Sequence, residues 1–375
     1  MENRTPRKRQ ITVQDVAHEA GVSKATAARV LGGYGLTSPT VREKVFAAAH
    51  GLGYQANELA RSMTTGRSGT IGVIVGDIEN PYFGQAVRGI SDVARAAGFD
   101  VILANSDEDF EKERDAVRVF LGKRADGLII TPARIAEWQH LKEVQRSDRP
   151  LVLMDRYIPS LEVDTVVTDD RAAASAAARV LIEAGHRRIG YVSATDCNDP
   201  LYQGPHQIHL STVLDRIGGF LEAVTNAGIS GSERYIRLGL KGPVTARRII
   251  SDIMSLPAPA TAIIASDNVV ALEVFKTVRI LGLSIPDDLS LIAFHDADWT
   301  SVTSPSITVV AQPSYELGTE SAKALIKRAG GHLGAPRRLV LTTTLIQRES
   351  VSVPALLKSK ARKLKKAPAP SEVSD

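Results

Sequence analysis

A multidomain chain is predicted, with a small all-α head ahead of a larger α/β core of two lobes, and three observations predict it. The chain has 375 residues, more than one hydrophobic core conveniently serves. Residues 11 to 53 carry helical periodicity only. From Thr70 onward, short β-branched runs alternate with helical segments, the pattern of parallel sheets covered by helices on both faces. The hydrophobic and charged fractions, 43% and 23%, are those of an ordinary globular protein. No apolar run reaches the ~18 residues that a membrane-spanning helix requires. A single cysteine excludes a disulfide framework and a multi-thiolate metal cluster supplied by this chain alone. The opening MENRTPRKRQ is basic but leads into no apolar stretch, so no secretory signal is read and the cytoplasm is the expected location.

The modest net charge of +4 is a cancellation. Residues 1 to 68 hold ten Lys/Arg against five Asp/Glu, and residues 354 to 375 hold six against two, which leaves the body between them at −5. A polyanionic partner is therefore expected at an end of the chain and not at its body.

The head begins at Thr12, which with Asp15 three residues on makes a capping box, followed by an apolar face of Val13, Val16, Ala17 and Ala20. Gly21 permits the positive φ of a tight turn. Ser23 caps a second short helix, whose Ala27, Val30 and Leu31 turn inward while Lys24, Ala25, Thr26 and Arg29 remain outside. A third helix follows, with Ser38 as cap, Pro39 at its first position and Gly51 and Gly53 at its end. This is a helix-turn-helix. Lys24, Thr26 and Arg29 suit the edges and phosphates of a major groove, and Arg4, Arg7, Lys8 and Arg9 suit further phosphates.

In the body the predicted strands are TIGVIVGD, DVILANS, DGLIITP, LVLMDR, RRIGYVSA, RYIRLGL, ATAIIASD and LSLIAFHD, with a helix over Gln85 to Ala97 after the first. About ten strands overfill one twisted sheet, so two Rossmann-like lobes with a cleft between them are expected. Ligands of such sheets bind beyond the carboxyl ends of the strands. Asn105, Thr131, Asp155 and Arg156 end strands, and Tyr82 and Phe83 begin the helix after the first strand, so all six are candidates for the cleft.

The segments VQDVAHEAGVSKATAARVL, SPTVREKVFAAAHGLGYQANELARSM and TGRSGTIGVIVGDIENPYF, in that order, resemble the lactose-repressor (LacI/GalR) family of bacterial transcription regulators, and the resemblance runs to about Ser350. It implies a periplasmic-binding-protein-like core whose chain crosses between lobes near residues 165, 298 and 330. The implied organisation is a DNA-binding head (1–56), a hinge (57–69), a core (70–353) and a disordered basic tail (354–375). One lobe would comprise about 70–165 and 299–330, the other about 166–298 and 331–353. The resemblance adds Thr12, Ser23, Asn57, Arg61 and Met63 to the DNA contacts, the last three on a hinge helix in which Met63 stands where the family usually has an apolar minor-groove wedge. At the cleft it implies an aromatic face on the ligand from Tyr82 or Phe83, and ligand hydrogen bonds from Arg216, in RIGGF, and from Ser266, Asp267, His295 and Asp296.

Four departures from the family pattern are visible. Ala27-Ala28 replaces Val-Ser in the second helix, Ser266-Asp267 replaces Asn-Asp, and His295 stands where an aspartate commonly accepts ligand hydroxyls. The stretch from Thr195 to Asp215 is longer than the family's usual connection. Cys197, His206 and His209 fall within it without a recognised metal-ligand spacing, and neither metal nor cofactor is expected. The G-x-S-x-G, G-x-x-x-x-G-K-[ST] and H-E-x-x-H motifs are absent, so no enzyme is expected.

The expected function is a repressor of transcription that binds double-stranded operator DNA as a homodimer, at the nucleoid, under allosteric control by a sugar or sugar derivative in the cleft. A non-sugar ligand such as a nucleobase, or activation in place of repression, remains an open alternative. The tail lacks the leucine heptads of a tetramerisation segment.

Overall fold

The computed structural model describes residues 11–32, 35–54, 67–197 and 199–355. The chain forms two compact units, Met1–Gly69 and Thr70–Asp375.

In the first unit, α1 (Val13–Glu19), α2 (Lys24–Gly32) and α3 (Pro39–Leu52) surround a core of Val16, Ala17, Ala27, Val30, Val45, Ala48 and Ala49. Both halves of the capping box form. The Asp15 backbone N–H donates to Thr12 Oγ1, and Asp15 Oδ2 accepts from the Thr12 N–H at 2.8 Å. Gly21 turns the chain at φ +64°, and Ser23 Oγ accepts the Thr26 N–H at 3.1 Å to open α2. Ser38 caps α3, Pro39 starts it, and Gly53 ends it at φ +64°. Ala27, one of the two departures in α2, is fully buried, so a small side chain sets how closely α2 meets its neighbours.

The second unit holds two six-stranded sheets. The first contains β1 (Thr70–Val75), β2 (Asp100–Asn105), β3 (Gly127–Ile130), β4 (Leu151–Met154), β5 (Asp164–Thr168) and β11 (Arg338–Leu341), in the order β11-β5-β4-β3-β1-β2 and parallel throughout. The second contains β6 (Ile189–Val192), β7 (Ile236–Arg237), β8 (Ala262–Ala265), β9 (Ser290–Phe294), β10 (Thr308–Ala311) and β12 (Thr344–Ile346), in the order β12-β10-β9-β8-β6-β7. Here only β12 runs antiparallel, against β10. The central strands are buried along their whole length, as strands covered by helices on both faces must be.

Two closely packed helix pairs cover these sheets. In the first lobe α4 (Pro81–Ala96) follows β1 and packs on α12 (Ser314–Ala329). In the second, α7 (Asp170–Glu183) packs on α8 (Ser211–Asn226). Both pairs approach through glycine: a Cβ on Gly318 would lie 1.9 Å from the Ala86 carbonyl oxygen, and one on Gly219 would lie 1.9 Å from that of Arg171. Around them stand α5 (Phe110–Gly122) and α6 (Leu141–Arg146) in the first lobe, and α9 (Gly242–Ser255), α10 (Asn268–Ile280) and α11 (Asp298–Val302) in the second.

The boundaries differ from those expected. The chain passes between lobes between β5 and α7, between β10 and α12, and between β11 and β12, so the second and third crossings lie beyond residues 298 and 330. The cause is three of the four short strands that the sequence did not reveal, β5 being the fourth: TVVA of β10 stays beside β9, RLVL of β11 returns to β5, and TLI of β12 goes back to β10. The helix expected from Gln85 begins at Pro81, because Asn80 caps it by accepting the Tyr82 N–H at 3.1 Å.

The described residues of the long connection after β6 contact both lobes. Leu201 bridges Arg237 at the edge of the second sheet, and a single 3-10 turn covers Pro205–Gln207. The Ile135 N–H then donates to the His209 carbonyl at 3.0 Å and the Tyr157 N–H to Ser211 Oγ at 3.0 Å, two bonds that join the first lobe to the second.

Candidate functional site

On the head, Thr12, Ser23, Lys24, Ala25 and Arg29 are exposed, and Thr26 is half-buried. The Thr26 and Ser23 hydroxyls lie 2.8 Å apart, so the N-terminus of α2 presents a fixed polar pair. Arg29 Nε donates to the Ala25 carbonyl at 3.3 Å, which folds its stem along α2. Asn57, Arg61 and Met63, like Arg4, Arg7, Lys8, Arg9 and the tail from residue 356, lie outside the described residues.

Between the lobes of the core is a cavity of about 420 Å³, within the size range of small-molecule sites. Of the residues expected there, Tyr82, Phe83, Asp155 and Arg156 line it from the first lobe, and Arg216, Ser266, Asp267 and His295 from the second.

The first-lobe wall is built on strand ends and one helix start. Asp155 directly follows β4 and takes φ +69°, a conformation uncommon outside glycine. Its Oδ1 accepts the Tyr82 hydroxyl at 2.6 Å. Burial, and then the Asp155 carboxylate, push the Tyr82 phenol well above its ordinary range, so it serves as a donor. Arg156 donates to the Pro132 carbonyl at 3.2 Å and to Glu108 Oε1, and its Nε stands 3.4 Å from Asp155. Burial opposes the Arg156 charge, but Glu108 and Asp155 outweigh it and hold the guanidinium pKa above normal.

The second-lobe wall is organised by Arg216. From one turn into α8 it donates to Asp170 Oδ1 at 2.6 Å and to the Ser266 carbonyl at 2.5 Å, and its guanidinium carbon lies 4.2 Å from the centre of the Phe294 ring. Burial raises the Asp170 pKa to about 6, with Arg216 pulling the other way. Asp267 accepts the Val270 N–H at 2.8 Å and the Ser266 hydroxyl at 2.8 Å, capping α10 at the cavity wall, and burial raises its pKa.

His295 directly follows β9 at φ +70°, the counterpart of Asp155 after β4. It is 2% exposed, and neither ring nitrogen has a hydrogen-bond partner among the described residues. Burial lowers its pKa to about 4, so at neutral pH the imidazole is uncharged, with one donor and one acceptor. The edge-on Tyr82 and His295 rings, with centres 5.6 Å apart, meet across the lobes.

Three expected cavity residues do not line it. Asn105 Oδ1 accepts the Ile78 N–H at 2.9 Å, which spends the side chain on the loop behind Asn80. Thr131 is fully buried beyond β3, away from the cavity lining. Asp296 turns to Arg348 Nη2 at 2.9 Å and Thr300 Oγ1 at 2.8 Å, fastening the last strand connection. Sequence reasoning also missed wall residues. Asn80 and Asn268 meet across the cleft, Asn268 Nδ2 donating to Asn80 Oδ1 at 2.8 Å, and Gln312 lines the cavity where the chain passes from β10 to α12. Asn80-Pro81 was a legible helix start; Gln312 carried no sequence signal.

Residues 12–57 match the family described as "Bacterial regulatory proteins, lacI family", and residues 68–349 match "Periplasmic binding proteins and sugar binding domain of LacI family". The chain is 31% identical over 317 residues to catabolite control protein A of Priestia megaterium, covering 84% of this chain and 92% of that one. It is 31% identical over 344 residues to the HTH-type transcriptional repressor CytR of Escherichia coli K12, covering 92% and 97%. Among solved structures it is similar to the transcriptional regulator CelR–cellobiose complex, with 25% identity, a TM-score of 0.66 and coverage of 91% and 100%. With a helix-turn-helix head and a two-lobed binding core in one chain, this protein belongs to the LacI family of ligand-controlled, DNA-binding transcriptional repressors.

Proposed function

We propose that this repressor acts in the cytoplasm as a homodimer on a near-palindromic operator, and that a sugar or sugar derivative in the interlobe cavity sets its operator affinity. The exposed start of α2 enters the major groove, with Lys24, Ala25, Thr26 and Arg29 toward base edges and Thr12 and Ser23 on the phosphate backbone. Family membership supports minor-groove contacts from Asn57, Arg61 and Met63. The cellobiose complex of CelR supports a saccharide occupant.

The observation that carries the reading is that the cavity wall comes from both lobes, with Tyr82 and Asp155 on one side and Arg216, Asp267 and His295 on the other. The binding free energy of an occupant then depends on how the lobes stand. A ligand that prefers one arrangement shifts the population toward it, and DNA affinity follows by linkage.

The test is fluorescence anisotropy of a labelled duplex that the full chain selects from a random library, titrated with neutral and derivatised sugars. A sugar that changes duplex affinity at least tenfold is the expected result; duplex affinity that no cavity ligand alters contradicts it. For the head, Arg29→Ala reduces discrimination between sequences by about 1–3 kcal/mol if Arg29 reads a base.

A further inference from the structure

We propose that residues 199–211 form an arm of the second lobe that latches onto the first lobe without any ligand, and so sets the resting operator affinity of this repressor. The inference rests on the reading that the arrangement of the lobes governs operator affinity.

The arm belongs to the second lobe. Leu201 bridges Arg237 at the edge of the second sheet, and the Leu238 N–H donates to the Pro200 carbonyl at 2.9 Å. Gln207 closes the arm on itself: its Oε1 accepts the Gln203 N–H at 2.6 Å, and its Nε2 donates to the Leu201 carbonyl at 3.1 Å. At the far end Ile208 and Leu210, 4% and 6% exposed, enter the core of the second lobe. A segment with these bonds and buried apolar side chains moves with its lobe and not on its own.

The first lobe offers an equally fixed receptor. The Ile135 N–H that donates to the His209 carbonyl lies two residues beyond Ala133, whose own N–H is held by Glu113 Oε2 at 2.5 Å. The other Glu113 oxygen stands 2.7 Å from His140 Nε2, and both side chains are at most 3% exposed. Tyr157 is the second receptor. Its N–H donates to Ser211 Oγ at 3.0 Å, and its hydroxyl donates to Asp215 Oδ1 at 3.3 Å.

These three bonds cross between the lobes beside the two arginines of the cavity wall. Tyr157 directly follows Arg156, and Asp215 directly precedes Arg216. The Pro132 carbonyl, three residues before Ile135, accepts from Arg156 at 3.2 Å. Parting the lobes at the cavity therefore breaks the latch, and the latch holds the cavity walls together. Because arm and receptor are both rigid, the three bonds form and break as a set, which gives the lobes two discrete arrangements. All three are made within the chain, so the joined arrangement is the resting one. A ligand that prefers it meets a state already populated, whereas one that prefers the parted arrangement must first overcome the latch.

The experiment compares the full chain with a Tyr157→Phe, Ser211→Ala double variant, without ligand, by site-resolved amide hydrogen exchange and by anisotropy of the selected duplex. Tyr157→Phe keeps the ring over which the Arg338 guanidinium lies at 3.8 Å, and neither change touches the bond from Ile135 to His209. The expected result is exchange at the Ile135 amide at least about fivefold faster, as the loss of two hydrogen bonds implies, with duplex affinity shifted at least about threefold. The reciprocal variant, Ile135→Pro, removes the donor and speeds exchange at the Tyr157 amide by a like factor. His206→Ala, on the arm but outside the three bonds, leaves both readouts unchanged. The double variant removes two hydroxyl groups and nothing else, so it decides the matter even where Ile135→Pro does not fold. Exchange at Ile135 that keeps its native rate in the double variant overturns the latch and leaves ligand control of the operator intact. Faster exchange with unchanged duplex affinity supports the latch and overturns the reading that lobe arrangement governs the operator.

Discussion

Asn268, the first residue of α10 in one lobe, donates its side-chain amide to Oδ1 of Asn80, the cap of α4 in the other, at 2.8 Å. The same oxygen holds the Tyr82 N–H at 3.1 Å, so one acceptor ties an interlobe bond to the helix start that carries Tyr82. Asn268→Ala removes the bond and leaves the cap in place. A hydrogen bond of this kind contributes about 0.5–1.5 kcal/mol. The variant should therefore shift the ligand midpoint for operator release by roughly two- to tenfold, with Tm little changed. Midpoints by anisotropy and Tm by calorimetry, on the same preparation, check both halves.

Arg216 and Asp170 form a buried pair 2.6 Å apart. Arg216→Ala strands the carboxylate and is expected to destabilise the core by about 3–5 kcal/mol in urea unfolding. Asp170→Asn in the Arg216→Met background removes both charges and recovers most of that loss. A double variant no more stable than Arg216→Ala would show that the loss comes from packing against Phe294.

At Gly219 a side chain has no room, because its Cβ would sit 1.9 Å from the Arg171 carbonyl oxygen. Gly219→Ala must push α7 and α8 apart, at about 1–3 kcal/mol. The comparison is Gly228→Ala, where φ is +71° but a Cβ meets nothing within 4 Å; there the cost is backbone strain alone, about 1 kcal/mol. Unfolding midpoints of the two variants distinguish the mechanisms.

The head was legible in the sequence nearly residue by residue, because caps, turn glycines and apolar spacing are local signals: Thr12, Gly21, Ser23, Ser38 and Gly53 each act where the pattern put them. The alternation of strands and helices in the core was legible for the same reason. What was not legible depends on distant partners. Asp296 looked like a ligand group because it ends a strand, but Arg348, far along the chain, takes it. Asn105 likewise ends a strand and turns to Ile78. Which sheet the short strands β10, β11 and β12 join is set by their distant partners β9, β5 and β10, so two of the lobe boundaries were misplaced.

Acid should weaken the core through its buried imidazoles. His186, bonded to Thr261 and the Ser352 carbonyl, and His295 both have pKa values lowered by burial to about 4, from an ordinary 6.5. The unfolded chain therefore binds more protons between pH 6.5 and 4, and stability is lost as pH falls through that window. Asp170, raised by burial to about 6, acts in the opposite sense there, since its folded form holds its proton more tightly. Asp267, also raised by burial, acts with Asp170, and the two imidazoles leave a net loss on the order of 1 kcal/mol between pH 7 and pH 5. Urea unfolding at the two pH values measures it, and His186→Gln should flatten the dependence.

The central claim is that occupancy of the interlobe cavity controls DNA affinity. The most direct measurement is the affinity of the full chain for its selected duplex, with and without the sugar that most raises Tm, in the native protein and in His295→Leu. The account predicts at least a tenfold change in the native protein, with the sugar concentration that produces it rising at least tenfold in the variant. A sugar that binds the cavity while the duplex affinity stays the same would contradict it.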